Sequence, residues 1–427
     1  MPPRKKFDNP TFAFVAKGLV DLHRLIKAGQ EDSPEAEAIR DALDGPLAAL
    51  NPVEKLRAQW LSEDLYSISE PVDESALKPM NPQAQQRISE FSTARQRSDW
   101  DQALSVLRRW QGYISPALLS FLRGSIWFDA GVAVAAAAFL EHASQRDPAN
   151  YRAVHLLALG ESDAGAAEIL AREILKSDDQ HSSDIVAQAA GICVKAAIAG
   201  EAAMAEQTYR SLLPVLDRTL KRPVDDDAIA SRSTAAYLAL LLGLCHEKLG
   251  GTNAAIDHYT RGLQADPFNE ALLIARGNLL YGRNPSAIGD FRHAVESEST
   301  FIWPYLFLAH EYLATHQYDL CRTMCERGLH RDGSDQAKSH LEEWRAIAQC
   351  ELGFSPELVR TAFESAIRLD PANENARRNL ARFNEAWTQA ARPQHLSWEQ
   401  KSAAEVRNFG LAERQLVFAD WHFLQAA

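Results

Sequence analysis

Two cysteines lie at a spacing that could support chemistry. Cys321 and Cys325 are four residues apart, one turn of a helix, and such a pair suits a metal ion or a redox couple. No second pair of Cys or His residues accompanies them nearby, and both fall where a predicted helix faces its core. We therefore interpret them as packing residues and expect no metal site. The chain has five cysteines, an odd number, so we also expect no disulfide framework.

Histidines and glycine-rich loops give no stronger signal. His246 and His310 are each followed by glutamate, but neither has the second histidine, four residues on, that the His-Glu-x-x-His zinc motif needs. The sequence contains no glycine-rich phosphate loop, no Gly-x-Ser-x-Gly elbow and no strand pattern that could carry one. We expect no catalytic residues, no cofactor and no enzymatic activity.

Composition and charge exclude further classes. Of 427 residues, 46% are hydrophobic and 24% are charged, which is typical of a globular chain with a large core. A net charge of -12 argues against binding nucleic acid or an anionic membrane, and only Arg4, Lys5 and Lys6 form a basic cluster. The apolar runs at 132–140 and 235–244 are too short to span a bilayer, and no signal peptide follows the basic cluster. We expect a cytoplasmic protein without membrane insertion.

The stretch 236–269 predicts a complete helix-turn-helix unit. A Gly-Gly pair at 250–251 separates two helical patterns. The small residues Gly243 and Ala255 lie where the two helices must approach closely, and the large Tyr259 fills the space beside them. This pattern indicates packing between antiparallel helices rather than a reaction site.

The same unit recurs along the chain. Seven residues from Gly124 to Pro148 match seven from Gly243 to Pro267 at a constant spacing of 119 residues, which corresponds to three 34-residue repeats and a surplus of 17. We assign the surplus to an insertion at 217–233. Downstream, both positions recur at repeat-length intervals: Gly243 recurs as Gly277, Ala309 and Ile347 after 34, 32 and 38 residues, and Tyr259 recurs as Phe291, Cys325 and Phe363 after 32, 34 and 38 residues.

This pattern resembles the tetratricopeptide repeat (TPR) family over residues 84–384. The matching positions are the small Gly124, Gly243, Gly277 and Ala309; the aromatic Trp127 and Tyr312; the alanines Ala103, Ala136, Ala255 and Ala287; the bulky Leu107, Leu140, Tyr259, Phe291 and Phe363; and the closing prolines Pro148, Pro267 and Pro371. The resemblance implies an all-α, right-handed solenoid of helical hairpins whose first helices line a concave groove for peptides or partner proteins. Neighbouring repeats complete each other's core in such an array.

We divide the chain into four parts. Residues 1–70 predict a helical N-terminal module, and residues 71–83, which lack periodicity, a linker. Residues 84–384 are the TPR-like array, with degenerate units at 151–228 and a capping helix at 374–384 whose outer face carries Asn375, Arg377, Arg378 and Asn379. Residues 385–427 are a C-terminal tail with an aromatic end. Within the N-terminal module, the stretch 32–66 resembles segments that precede the repeats of some bacterial TPR proteins.

Projection onto this fold predicts a mostly apolar groove. Its residues are Tyr237, Leu240, Leu244, Ile274, Asn278, Tyr281, Trp303, Leu306, His310, Leu313, Leu341 and Trp344. Such a groove binds apolar anchors, although the same side chains could instead pack on neighbouring helices. We also predict that the tail around Phe418, Trp421 and Phe423 docks on the array, because both surfaces would otherwise expose aromatic side chains.

The function that follows is a protein-protein interaction scaffold, binding an unidentified protein or peptide through the groove. The alternative is a structural subunit of a larger assembly, in which the N-terminal module or the C-terminal tail is the docking element. The two differ in stoichiometry, and the sequence leaves the oligomeric state open.

Overall fold

A computed structural model describes residues 6–69, 77–79, 82–222, 229–389 and 396–419. The described residues divide into two compact units, one that ends at Cys193 and one that begins at Val194. The boundary lies inside the helix Ser183–Ala199. The described residues form α-helices joined by turns and short loops, with no β-strand among them. The predicted all-α fold is confirmed.

The first unit is built from nine helices within the described ranges, together with the start of α10. They are α1 (Pro10–Lys27), α2 (Pro34–Ala49), α3 (Pro52–Ser69), α4 (Pro82–Gln96), α5 (Trp100–Trp110), α6 (Pro116–Asp129), α7 (Ala133–Arg146), α8 (Pro148–Ser162), α9 (Ala164–Lys176) and α10 (Ser183–Ala199). The segment predicted as a helical N-terminal module contains α1–α3. Most of the predicted linker lies outside the described residues.

Several helices of the first unit begin at a proline that follows a capping side chain. Asn9, Ser33 and Ser115 each accept a hydrogen bond from a main-chain N–H of the first turn that follows. The cap satisfies a donor that has no partner inside the helix, and a proline at the first position has no N–H to satisfy. The helix starts are therefore encoded locally.

The N-terminal helices share a core with the first repeats. Phe12 of α1 stacks on Trp127 of α6, with ring centroids 6.3 Å apart. Asp64 of α3, which is buried, accepts hydrogen bonds from Arg123 Nη2 at 2.8 Å and from Arg108 Nη1 at 3.0 Å. Burial raises the pKa of the Asp64 carboxyl, and the two guanidinium groups oppose that shift. The compact unit thus extends past the predicted linker to residue 193.

The second unit continues the hairpins. Its helices are α11 (Ala202–Leu220), α12 (Ile229–Lys248), α13 (Thr252–Ala265), α14 (Glu270–Leu280), α15 (Ser286–Glu296), α16 (Trp303–Ala314), α17 (Tyr318–Leu329), α18 (Asp335–Glu351), α19 (Pro356–Leu369), α20 (Glu374–Gln389), α21 (Ala403–Asn408) and α22 (Leu411–Phe418). Consecutive helices pack in pairs, α12 with α13, α14 with α15, α16 with α17 and α18 with α19.

The small-to-large pairing predicted from the repeat is present in the helix contacts. A Cβ atom added to Gly243 would lie 2.0 Å from Tyr259 Cε1, one added to Gly277 would lie 2.7 Å from Phe291 Cε1, and one added to Gly124 would lie 2.6 Å from Leu140 Cγ. No real Cβ makes such contacts, so the glycine is what lets the two helices of each hairpin approach. These contacts confirm the TPR-type hairpin packing.

The structure adds to or corrects three local predictions. The segment 151–228, predicted as degenerate units, contains most of α8 and all of α9, α10 and α11, and α8 packs against α9. The capping helix continues past residue 384 to Gln389 as α20. The prediction that Asn379 faces solvent was wrong, because its side chain is fully buried and bonded to the segment that follows α20.

Candidate functional site

The residues predicted to line a groove lie on, or directly after, the first helix of each hairpin in the second unit. All of them are at most 5% exposed. They are Tyr237, Leu240 and Leu244 on α12; Ile274 and Asn278 on α14, with Tyr281 directly after it; Trp303, Leu306, His310 and Leu313 on α16; and Leu341 and Trp344 on α18.

A segment of the same chain lies against these helices. Residues 396–419, which we call the strap, form an extended stretch followed by α21 and α22. Tyr237, Asn278, Tyr281, Trp303 and His310 all contact it. Leu341, in contrast, packs between helices. A Cβ atom added to Gly328 of α17 would lie 2.8 Å from the Leu341 Cδ1 atom. We use the term groove for the surface of α12, α14, α16, α18 and α20 that the strap contacts.

The extended part of the strap is held through its main chain. Asn379 Nδ2 donates to the carbonyl of Glu399 at 3.0 Å, and the Glu399 N–H donates to Asn379 Oδ1 at 2.8 Å. The second N–H of the same amide donates to the buried carboxylate of Glu343 at 3.1 Å, which fixes the orientation of Asn379. One side chain thus pairs with both hydrogen-bonding groups of a strap residue, as the next strand of a sheet would. Beside it, the indole of Trp398 donates to Glu351 Oε1 at 2.6 Å.

His310 makes a second main-chain contact. Its Nε2 lies 2.8 Å from the carbonyl of Lys401, and its Nδ1 lies 2.6 Å from the hydroxyl of Tyr281. Because a carbonyl can only accept, Nε2 carries the proton, and Nδ1 of the neutral ring accepts from Tyr281. Burial lowers the pKa of His310, which favours this neutral form, whereas the bond to Lys401 acts in the opposite direction.

Helix α21 lies close to the backbone of the turn that follows α14, because one residue of that turn is glycine. Gly282 has a φ of +69°, a conformation that L side chains rarely adopt, and a Cβ there would lie 2.6 Å from Ala403 Cβ. Arg407, one helical turn after Ala403, donates to the carbonyl of Tyr281. The turn after α14 therefore packs directly against helix α21 of the strap.

Helix α22 brings polar and aromatic side chains to the groove. Gln415 donates to Glu247 Oε1 at 2.7 Å, while the hydroxyl of Tyr259 donates to Glu247 Oε2 at 3.0 Å. Burial raises the pKa of Glu247, and these two hydrogen bonds oppose the shift by favouring the carboxylate. Phe418 packs edge-on against Trp303, with ring centroids 5.7 Å apart.

The end of the described strap is fixed by its main chain as well. The hydroxyl of Tyr237 donates to the carbonyl of Ala419 at 2.8 Å, and Phe409 packs edge-on against His340 at 4.8 Å. Of the tail residues predicted to dock, Phe418 lies in the groove, while Trp421 and Phe423 lie outside the described residues.

The groove holds the strap through both its main chain and its side chains. Asn379, His310 and Tyr237 bond to main-chain groups of the strap, which any sequence offers, whereas Glu247 and Asn278 bond to its side chains. Among the described residues, no group of three or more His, Cys, Asp or Glu side chains could hold a metal ion. Cys321 and Cys325 are fully buried in α17, and burial raises the pKa of Cys325, so they behave as core residues.

Sequence reasoning missed part of this surface. Glu247, Phe307, Glu351 and Asn379 contact the strap but were not among the predicted groove residues. The contact made by Asn379 could not be predicted from the sequence, because an asparagine among the charged residues of a capping helix is expected to face solvent. Glu247 lies one turn beyond Leu244 at the end of α12. Extending the set of predicted groove residues on this helix by one turn would have included Glu247.

The described helices thus form TPR-type hairpins, and those of the second unit carry a strap of the same chain. No protein-family profile and no curated protein matches the sequence. Among solved structures, the Cut9–Hcn1 hetero-tetramer of the APC/C is 17% identical over 79% of this chain and 66% of its own, with a TM-score of 0.34, so this chain spans just under two thirds of it.

Two other solved structures are similar to the chain. The C-terminal part of a TPR repeat-containing protein from Cytophaga hutchinsonii is 13% identical over 69% of this chain and 98% of its own, with a TM-score of 0.33. The P58(IPK) TPR domain is 18% identical over 82% of this chain and 80% of its own, with a TM-score of 0.22. Within the described part of this chain, no helix is long and apolar enough to cross a membrane.

Proposed function

We propose that this chain is a non-enzymatic scaffold that binds a partner protein through a peptide segment laid along the groove of the second unit. The observation that carries the proposal is the set of hydrogen bonds from Asn379, His310 and Tyr237 to the main chain of the strap. Side chains that hydrogen-bond to the main chain of a bound segment recognise groups that every peptide has, whatever its sequence. A partner segment would take the same positions after displacing the strap.

The aromatic side chains at the groove support the same function. Trp303 and Phe301 pack edge-on against Phe418, at centroid distances of 5.7 and 5.6 Å. Aromatic anchors in desolvated positions supply most of the binding energy in protein interfaces, while the surrounding polar contacts fix register. The strap would then regulate access, since a partner must compete with a segment that is always present at high effective concentration.

Affinity capture from cells of the source organism, compared among matched variants, tests the proposal. The full chain should capture the partner weakly, and a variant ending at Gln389, which lacks the strap, should capture it more strongly. In that shortened chain, Trp303→Ala should reduce capture of the same partner. Leu320→Ala, which removes an exposed side chain of α17, should not.

The proposal fails if captured proteins are the same with and without the strap and are insensitive to Trp303→Ala. Circular dichroism must give Trp303→Ala and Leu320→Ala the helical content of the shortened chain, so that loss of capture is not loss of folding.

A second candidate is supported by the N-terminal helices. Val53 and Leu56, one turn apart on α3, are 50% and 43% exposed, and Phe14 of α1 is 53% exposed. These exposed apolar residues favour an assembly subunit that docks through the N-terminal module. Val53→Glu with Leu56→Glu should then abolish co-purification with a stoichiometric partner, whereas Trp303→Ala should leave it unchanged.

A further inference from the structure

The strap inserts a charged side chain into the groove. Arg414 of α22 is 1% exposed, although arginine is among the residues that are rarely buried without a partner. Its Cζ atom lies 5.2 Å from the ring centroid of Phe307 and 6.0 Å from that of Trp303. These distances place the guanidinium within reach of the negatively polarised faces of two aromatic rings of α16.

Polar groups of the groove and of the strap itself also contact the guanidinium. Arg414 Nη2 donates to Asn278 Oδ1 at 3.1 Å and to the carbonyl of Arg407 at 2.7 Å. The carboxylate of Glu247 attracts the guanidinium electrostatically, and burial lowers the pKa of Arg414 only to about 10, so that the side chain is a cation at neutral pH. We call Trp303, Phe307, Asn278 and Glu247 the arginine socket.

The socket is a poor site for an apolar anchor. Asn278 and Glu247 are largely buried; Asn278 accepts a hydrogen bond from Arg414 of the strap, and Glu247 accepts one from Gln415. An occupant with methionine or leucine at that place would leave Asn278 Oδ1 without the donor that the strap supplies. Lysine would carry the charge, but it lacks the planar guanidinium group that lies near both aromatic rings and bonds to the side-chain amide of Asn278.

We propose that the groove selects occupants that present an arginine in this socket and an aromatic side chain one helical turn later, as Arg414 and Phe418 do in the strap. The partner is then a short amphipathic helix with the pattern Arg-x-x-x-aromatic, preceded by an extended stretch for the main-chain contacts of Asn379 and His310. This inference rests on the proposed function, because it names the kind of segment that replaces the strap.

The experiment uses the full chain with a protease site inserted between Gln389 and Leu396. After cleavage, the nicked protein is incubated at 37 °C with fluorescent peptides of residues 396–427, and fluorescence anisotropy follows their exchange with the resident strap. The peptides are the native sequence, Arg414→Lys and Arg414→Met. Val417→Ala, which alters an exposed strap residue, is the matched control.

We expect Arg414→Lys and Arg414→Met to compete at least about tenfold more weakly than the native peptide, since each loses a charge-assisted hydrogen bond or the ring contact. Val417→Ala should stay within about twofold of the native peptide, as surface substitutions do. Equal or stronger competition by Arg414→Met would overturn the inference and make the socket an ordinary apolar pocket, while leaving the proposed function intact.

A substitution in the socket itself separates recognition from packing. Asn278→Asp adds a carboxylate beside the guanidinium, so it should increase the preference for the native peptide over Arg414→Met by about tenfold. An unchanged ratio of the two affinities contradicts the inference. If no peptide exchanges into the nicked protein at all, both this inference and the proposed function are overturned, because the strap is then a permanent part of the fold.

Discussion

Replacing Gly243 by alanine tests the packing rule on which the hairpins depend. The new Cβ would lie 2.0 Å from Tyr259 Cε1 and 2.5 Å from Cδ1, about 1 Å closer than real Cβ contacts allow. Tyr259 cannot move aside freely, since it is fully buried and its hydroxyl is bonded to Glu247 at 3.0 Å. Overpacking of this kind costs about 1–3 kcal/mol, and the short distance indicates the upper end.

The helix propensity of alanine offsets part of this cost. Alanine is favoured over glycine inside a helix by about 1 kcal/mol, so the net destabilisation is about 2 kcal/mol. Each 1.4 kcal/mol corresponds to a factor of ten in an equilibrium constant. Amide protons of α12 and α13 should therefore exchange roughly 30-fold faster in Gly243→Ala than in the native chain, as measured by hydrogen exchange with mass spectrometry.

Gly289 of α15 is the matched control, because it is an exposed glycine inside a helix of the same unit and nothing lies within 4 Å of an added Cβ. Gly289→Ala should slow exchange in α15 by about two- to fivefold, the opposite sign. In a Tyr259→Leu background, which lacks the clashing ring atoms, Gly243→Ala should cost much less. A cost that is unchanged in this background, or slower exchange in Gly243→Ala alone, would refute the packing argument.

Three further predictions concern buried polar groups. Asp64→Asn should destabilise the first unit by about 3–5 kcal/mol in urea unfolding, because it leaves the guanidinium of Arg123 buried without its carboxylate. Burial lowers the pKa of His142 and of His155 to about 4, from 6.5, so the unfolded chain binds more protons between these values. The free energy of unfolding of this unit should therefore fall as pH is lowered from about 6.5 towards 4. All five thiols should react slowly with N-ethylmaleimide at pH 7.5 until urea is added, since each is buried or partly buried.

Each of these predictions has a control in the same chain. Asp217→Asn, which removes one partner of an exposed pair with Lys221, should change stability by less than about 0.5 kcal/mol. His155→Gln should flatten the pH dependence of unfolding. Rapid labelling of Cys245, whose pKa burial raises to about 12, would contradict the buried position assigned to it.

The sequence by itself determined the repeating hairpin and its inner face. Gly243 and Tyr259 lie within one hairpin, so their complementarity in size appears directly as a periodic pattern. The helix starts at Pro34 and Pro116 follow a serine cap in the sequence. The aromatic end of the chain also predicted that the tail needs a surface to cover it, and Phe418 lies against Trp303. All of these signals are local or depend only on the burial of apolar area.

The tertiary structure alone decided the polar contacts of the groove. Arg414 and Asn278 are 136 residues apart, and Gln415 and Glu247 are 168 residues apart, so no periodicity links them. A charged side chain on a short helix predicts a solvated face, and Asn379 was assigned to solvent for the same reason. Burying such groups is unfavourable unless donors and acceptors from distant elements meet in the folded chain, and only the fold determines which ones do.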